Sequence, residues 1–171
     1  MIRILGIDPG SQVTGFGVIE YLKGRTSYAA SGCIRVAGYS FQERLKRIFN
    51  SLTQVIAEHQ PQVIAIEKIF VCKNVASTLK LAQARGVAMV VAALHDLEVS
   101  EYSPRHIKKT VVGYGAADKQ QVQHMIKALF QLDGLPQVDA ADALAVALCH
   151  AHIQGTTARI ACRESRVIKG D

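Results

Sequence analysis

The chain has 171 residues, 49% hydrophobic and 20% charged, with 20 Lys+Arg against 14 acidic residues for a net charge of +6. That is one domain's length with globular composition, able to bury roughly 70% of its unfolded surface, which excludes disorder over most of its length. No charge-free apolar run reaches the ~18 residues of a membrane span, and Arg3 and Asp8 interrupt the N-terminal stretch that a secretory signal would need apolar. The cytoplasm is the expected compartment, and the basic excess raises the expectation of a polyanionic partner. Cys33, Cys72, Cys149 and Cys162 show no CxxC or other tight spacing, so reduced packing cysteines are expected rather than a disulfide framework or a zinc site.

The elements follow in order. Residues 2–7 form a short apolar run closed by Asp8-Pro9-Gly10, a turn signal. Runs at 14–22 and 26–36, separated by Lys23-Gly24, complete a three-stranded antiparallel meander. Leu45, Ile48, Phe49, Leu52, Val55 and Ile56 carry helical spacing over 40–59, and Pro61 stops it. Val63-Ile64-Ala65-Ile66-Glu67 reads as a buried strand. An Ala/Val-rich helix is predicted over 75–95, a strand over 99–102, and helices over 119–130 and 138–152. Residues 154–171 show no clear period and read as a flexible tail beyond a domain at 1–153. The order β-β-β-α-β-α-β-α-α predicts an α/β fold, a mixed five-stranded sheet flanked by helices on both faces.

Four carboxylates sit where a core helix or strand would not place them. Asp8 and Glu67 each end an apolar strand, and Asp139 and Asp142 stand three apart at the start of an apolar, alanine-rich helix. Each has an ordinary reading. Asp8 before Pro-Gly suits a turn, Glu67 could pair with Lys68 or Arg85, and Asp139 suits the positive end of a helix. Together they ask for more, because ionised groups at the ends of buried strands are costly unless paired or bound to a cation. If the two strands are neighbours and the last helix crosses their ends, the four acids form one all-oxygen site suited to Mg²⁺ or Mn²⁺. Two such ions ~3.5–4 Å apart can flank a scissile phosphodiester. The stretch 102–131 adds five basic residues, Arg105, Lys108, Lys109, Lys119 and Lys127, against one acid, Asp118.

At these residues the chain resembles a known family. Leu-Gly-Ile-Asp-Pro-Gly-Ser-Gln-Val-Thr-Gly-Phe-Gly-Val-Ile at 5–19, Ala-Ile-Glu at 65–67 with Phe70, Leu-Ala-Gln-Ala-Arg-Gly-Val-Ala at 81–88, Lys-Lys-Thr-Val-Val-Gly at 108–113 and Asp-Ala-Ala-Asp-Ala-Leu-Ala at 139–145 resemble the bacterial RuvC Holliday-junction resolvases. The resemblance covers about residues 2–152 in order. It implies a ribonuclease-H-like fold and a homodimeric, metal-dependent endonuclease that nicks two like strands of a four-way DNA junction, in recombination and repair. It maps the family's acids onto Asp8, Glu67, Asp139 and Asp142, where some members have a histidine at the third position. It maps active-site lysines onto Lys108 and Lys119, and an aromatic at the junction centre onto Phe70. It implies Mg²⁺, with Mn²⁺ substituting and one or two ions per subunit, and the RuvA–RuvB branch-migration complex as partner. Phe16 stands where Tyr is common, a difference of packing rather than chemistry. Residues 37–41 and those after 154 resemble the family least.

The residues themselves weigh these roles. Lysines are ordinarily solvated surface and Phe is ordinarily core. Lys108 and Lys119 nevertheless lie in the most one-sided basic stretch, and Phe70 follows a strand among Lys68, Lys73 and Lys80, where it could stack on an unpaired base. His106, His124, His150 and His152 lack ligand spacing and suit surface or helix-end positions, with His106 and His124 within a basic patch. The helix at 75–95 is apolar on more than one face from Val87 to Leu94, so burial against the same helix of a second subunit is expected. A competing class also fits one motif. Asp8-x-Gly10 with Gly15 resembles the first phosphate loop of the actin, Hsp70 and sugar-kinase superfamily, which would make the chain a single-lobe nucleotide-binding domain; its length argues against the two-lobed clamp those proteins use. A DNA-binding module without catalysis has no use for the acid set.

Overall fold

The computed structural model describes residues 1–70 and 74–168, with 157–168 as backbone alone. Cys72 and Lys73, two residues singled out above, lie outside the described residues, as do 169–171.

Five strands, β1 (Ile2–Asp8), β2 (Val13–Leu22), β3 (Arg25–Arg35), β4 (Val63–Glu67) and β5 (Glu98–Tyr102), form one sheet in the order β3-β2-β1-β4-β5. The meander β1–β2–β3 is antiparallel, while β4 runs parallel to β1 and β5 parallel to β4. Helix α1 (Phe41–His59) connects β3 to β4, and α2 (Val75–Leu94) connects β4 to β5. Three helices follow: α3 (Pro104–Val112), α4 (Lys119–Phe130) and α5 (Val138–Ile168).

Strand alternation divides the sheet into two faces. Leu5, Ile7, Val18, Ile64 and Ile66 point one way, onto Ile48, Leu52, Val55 and Ile56 of α1 and Ala88 and Val91 of α2. Ile4, Ile19, Val63 and Ala65 point the other way, onto α3, α4 and α5. On this second face α5 lies almost against the backbone. A methyl group on Gly6 would strike the carbonyl of Ala143, and one on Gly15 would strike the carbonyl of Asp139. The run Ala140, Ala141, Ala143, Ala145 and Ala147 is buried for that reason.

Two differences from the sequence reading concern helices. The nine-residue α3 is missing from the predicted order. Its signals are local: Ser103 caps it through its side chain to the His106 N–H, Pro104 opens it, and Gly113 at φ 93° closes it. The helix predicted to end at His152 continues to Ile168. Gly155-Thr156 looks like a breaker, but Gly155 is a packing position, where a methyl would come within 2.7 Å of the Tyr21 hydroxyl.

Candidate active site

Strand geometry brings the first two acids together. β1 and β4 are parallel neighbours with Ile7 opposite Ile66, so Asp8 and Glu67 follow at the same end of adjacent strands. Alternation then fixes their side. Asp8 shares a face with Ile4 and Gly6, and Glu67 shares one with Val63 and Ala65, so both point toward α5. The first turn of α5 crosses there. Asp139 is seated over Gly15, and Asp142 stands one turn further along.

Asp8, Glu67 and Asp142 line one pocket of about 190 Å³ with Pro104, Ile107 and Lys108 of α3 and Lys119 and Val122 of α4. Asp139 is half-buried and does not line that pocket; it lies beside Cys33, whose thiol is pushed up by burial and by the nearby Asp139 charge. The loop after Asp8 is tied down. The buried Thr14 hydroxyl donates to the Gly10 carbonyl at 2.9 Å, and the Gly10 N–H donates back to it at 3.3 Å. Arg44 of α1 reaches the same loop, donating to the Ser11 carbonyl at 3.3 Å.

The acids crowd each other. Burial raises the Asp8 carboxyl, and the neighbouring Glu67 charge and a hydrogen bond to Glu67 raise it further, to about 9. Burial also raises Glu67, and its hydrogen bond to Asp8 acts in the opposite sense. The pair therefore holds one proton well above the ordinary carboxylate range. Lys119 donates to the Asp142 carboxylate at 2.9 Å. Burial lowers the lysine's affinity for its proton, but that bond and the Asp142, Asp8 and Asp139 charges outweigh it, so Lys119 is held protonated. The structural alternative for Glu67 fails: Arg85 pairs with Glu101, and among the described residues Glu67 makes no salt bridge.

The donor set fits a hard divalent cation in chemistry and charge. Three carboxylates face one pocket, and two of them share a proton that a cation would replace. Their oxygens are not drawn into ligand geometry, however. No group of three or more His, Cys, Asp or Glu among the described residues is arranged to hold a metal ion as it stands. The contacts show why: Asp8 is turned to Glu67, and Asp142 to Lys119.

Comparison with known proteins decides the family. The family model described as Crossover junction endodeoxyribonuclease RuvC matches residues 4–150. The chain is 51% identical over 170 residues to the crossover junction endodeoxyribonuclease RuvC of Pseudoalteromonas translucida, covering 99% of this chain and 98% of that one. It is likewise 51% identical over 170 residues to that of Tolumonas auensis, with the same coverage. The chain belongs to the RuvC family. Among solved structures, T. thermophilus RuvC in complex with Holliday junction substrate is similar at a TM-score of 0.84 and 27% identity, covering 92% of this chain and 97% of that one. The fold is thus ribonuclease-H-like, as the resemblance implied, and the single-lobe nucleotide-binding alternative is set aside.

Within this RuvC-family chain the remaining candidates separate. Lys108 and Lys119 enter the acidic pocket from two helices. Phe70 lies outside it, three residues past Glu67 and 60% exposed. His150 is not at the surface. It is 4% exposed, with Nδ1 2.8 Å from the Tyr102 hydroxyl and Nε2 without a hydrogen-bond partner among the described residues, and burial lowers its affinity for a proton. Cys149 is buried and Cys33 half-buried, both as free thiols. Sequence reasoning missed Thr14 and Arg44 as anchors of the Asp8 loop. A hydroxyl six residues past the strand-end acid, in a Gly-rich turn, was the available signal for Thr14; nothing local marked Arg44. No helix among the described residues is long and apolar enough to cross a membrane.

Proposed function

We propose that this chain resolves four-way (Holliday) DNA junctions by paired, symmetric nicks in strands of like polarity, using a divalent cation held by Asp8, Glu67, Asp139 and Asp142. The observation that carries this reading is the meeting of Asp8 and Glu67, side by side on adjacent strand ends, with Asp142, Lys108 and Lys119 in one pocket. A related RuvC has been solved with its Holliday junction substrate. Divalent-metal dependence is general for such nucleases; Mg²⁺ is the proposed ion, with Mn²⁺ substituting and one or two ions per subunit. A cation there supplies Lewis acidity, lowering the pKa of bound water and stabilising the leaving oxygen. The protein's own groups do the rest. Asp8 and Glu67 would hold the cation in place of the proton they share. Lys119 leaves Asp142 to face the phosphodiester, and Lys108, half-buried in the pocket wall, holds the phosphate and offsets charge as it develops. Phe70 stacks on a base at the junction centre.

Paired nicks need two sites, and α2 offers the surface for a homodimer. Leu79, Gln83, Gly86, Val90 and Leu94 form an outward stripe at helical spacing, with Leu79 60%, Val90 54% and Leu94 65% exposed. A methyl on Gly86 would meet nothing within 4 Å, so a second α2 can approach closely there. The nuclease unit is proposed as residues 1–153, with α5 running on past that boundary and Gly155 packed on Tyr21, acting in the bacterial cytoplasm with the RuvA–RuvB complex. The test is incubation of the protein with a synthetic four-way junction, a linear duplex and single strands, each with and without Mg²⁺. Paired nicks in the junction alone, only with Mg²⁺, are expected; equal cutting of linear duplex would overturn the reading.

A further inference from the structure

Helix α3 presents three stripes, and the acidic pocket uses one of them. Ile107 and Val111 are 5% and 6% exposed and enter the core. Pro104 and Lys108, four apart, line the acidic pocket. Arg105 and Lys109, also four apart, project about 100° further round the helix, into a separate groove of about 520 Å³. Ser103, His106, Tyr114 and Gly115 complete its wall, with Gly113 at the turn, and no acidic residue among the described residues lines it. Arg105, His106 and Lys109 are exposed, and among the described residues neither Arg105 nor Lys109 forms a salt bridge.

The groove is shaped rather than incidental. Gly115 has no side chain where the Arg105 stem passes: a methyl there would lie 2.5 Å from Arg105 Cγ and 3.3 Å from its Nε. The bare Gly115 backbone therefore supports the root of the guanidinium. Gly113, at φ 93°, turns the chain back to make that approach. Tyr114 donates its hydroxyl to Gln121 Oε1 at 2.6 Å, and the same Gln121 oxygen accepts from the Asp118 N–H in the capping box of α4. That capped turn also carries Lys119 into the acidic pocket. The groove wall and a lysine of the proposed active site are thus fixed to one element.

We propose that this groove is a second DNA-backbone site, in which Arg105 and Lys109 hold phosphates of the duplex arm leading away from the cut strand. Arg105 suits a phosphate through its planar fork, and Lys109 acts as a point charge one helical turn on. The proposal rests on the junction-cutting reading and fixes the register of the arm relative to Lys108 and Lys119.

The test is the salt dependence of junction binding, measured by fluorescence anisotropy with a labelled synthetic four-way junction and no divalent cation. Each phosphate contact contributes about 0.9 to the slope of log affinity against log salt. With one groove per protomer of the dimer, R105Q/K109Q should lower the slope by about 3.6 and K109Q alone by about 1.8. R105K/K109R should keep the wild-type slope. The control K23Q/R25Q removes the same charge from the β2–β3 turn, beside Ile2 at the end of β1 opposite Asp8, and should leave the slope unchanged. A wild-type slope in both R105Q/K109Q and K109Q would overturn the proposal, as would an equal loss in the control. Should R105Q/K109Q fail to show a wild-type melting transition, K109Q carries the same decision. Salt-independent binding by the wild-type protein would instead remove the junction-cutting reading itself.

Discussion

The two faces of the sheet are built from different residues and do different things. The α1–α2 face is filled by large aliphatic side chains, among them Leu5, Ile7, Ile64 and Ile66 against Ile48 and Leu52, all fully buried. The α5 face is assembled from glycines on the strands and alanines on the helix, so that backbones nearly touch. The first arrangement keeps its helices at side-chain distance and is filled by aliphatic groups. The second brings a helix start so close to two strand ends that carboxylates from three elements share one pocket. Close backbone approach is therefore what assembles the acids, and the bulky face supplies the burial that offsets the cost of crowding them.

The largest effect separating the faces should come from Asp8→Asn, which touches only the α5 side. Cutting of a synthetic junction should fall by about 10³-fold or more, while junction affinity stays within a few-fold of wild type, because Asn keeps the size of Asp8 and places no added negative charge beside phosphate. Equal loss of cutting and binding would make Asp8 structural. Next is Gly15→Val. Its side chain would collide with the Asp139 backbone, so a loss of about 3 kcal/mol or more in denaturant unfolding is expected, with cutting lost in whatever fraction stays folded. On the other face, Leu52→Ala should cost about 2–5 kcal/mol by leaving a cavity, yet the folded fraction should cut at the wild-type rate. A variant with normal stability but lost cutting at Leu52 would erase the distinction between the faces.

The smallest effect is a pH dependence carried by the α5 face alone. In metal-free protein Asp8 has a folded value of about 9 against an ordinary 3.8, raised by burial and then by Glu67. Between those limits the folded state keeps a proton that the unfolded state has released. The stability this represents is complete below about 4 and is lost as pH rises through about 9. Melting of metal-free protein from pH 5 to pH 8 should show the decline, and Asp8→Asn should flatten it and gain about 1–2 kcal/mol at pH 7. An unchanged slope in Asp8→Asn would place the shared proton elsewhere.

Much of this was legible in the sequence because the governing periods are short. Alternation along 2–8 and 63–67 ends each apolar run on an acid, and that pattern alone marks both residues. The parallel pairing of β1 with β4 is not written in either strand; it comes from the α1 crossover, which carries the chain from β3 past β2 and β1 to β4, and it decides that Asp8 and Glu67 meet. The i, i+3 spacing put Asp139 and Asp142 on one side of α5, but one helical turn is enough to leave Asp142 in the pocket and Asp139 beside Cys33. Helix α3 went unread because nine residues carry too little apolar period, although Ser103-Pro104 and Gly113 marked both ends. The continuation of α5 past His152 went unread because residues 154–171 show no clear apolar period; Gly155 is a close-packing position within it.

The central proposal is that Asp8, Glu67, Asp139 and Asp142 hold one cation in place of the proton that Asp8 and Glu67 share. Calorimetric titration of the protein with Mn²⁺ at pH 7, in two buffers of different ionisation enthalpy, measures binding and proton release together. The account expects saturable binding with release of about one proton, and loss of both in Asp8→Asn. Saturable binding of the same strength and proton count in Asp8→Asn, or no binding by the wild-type protein, would contradict it.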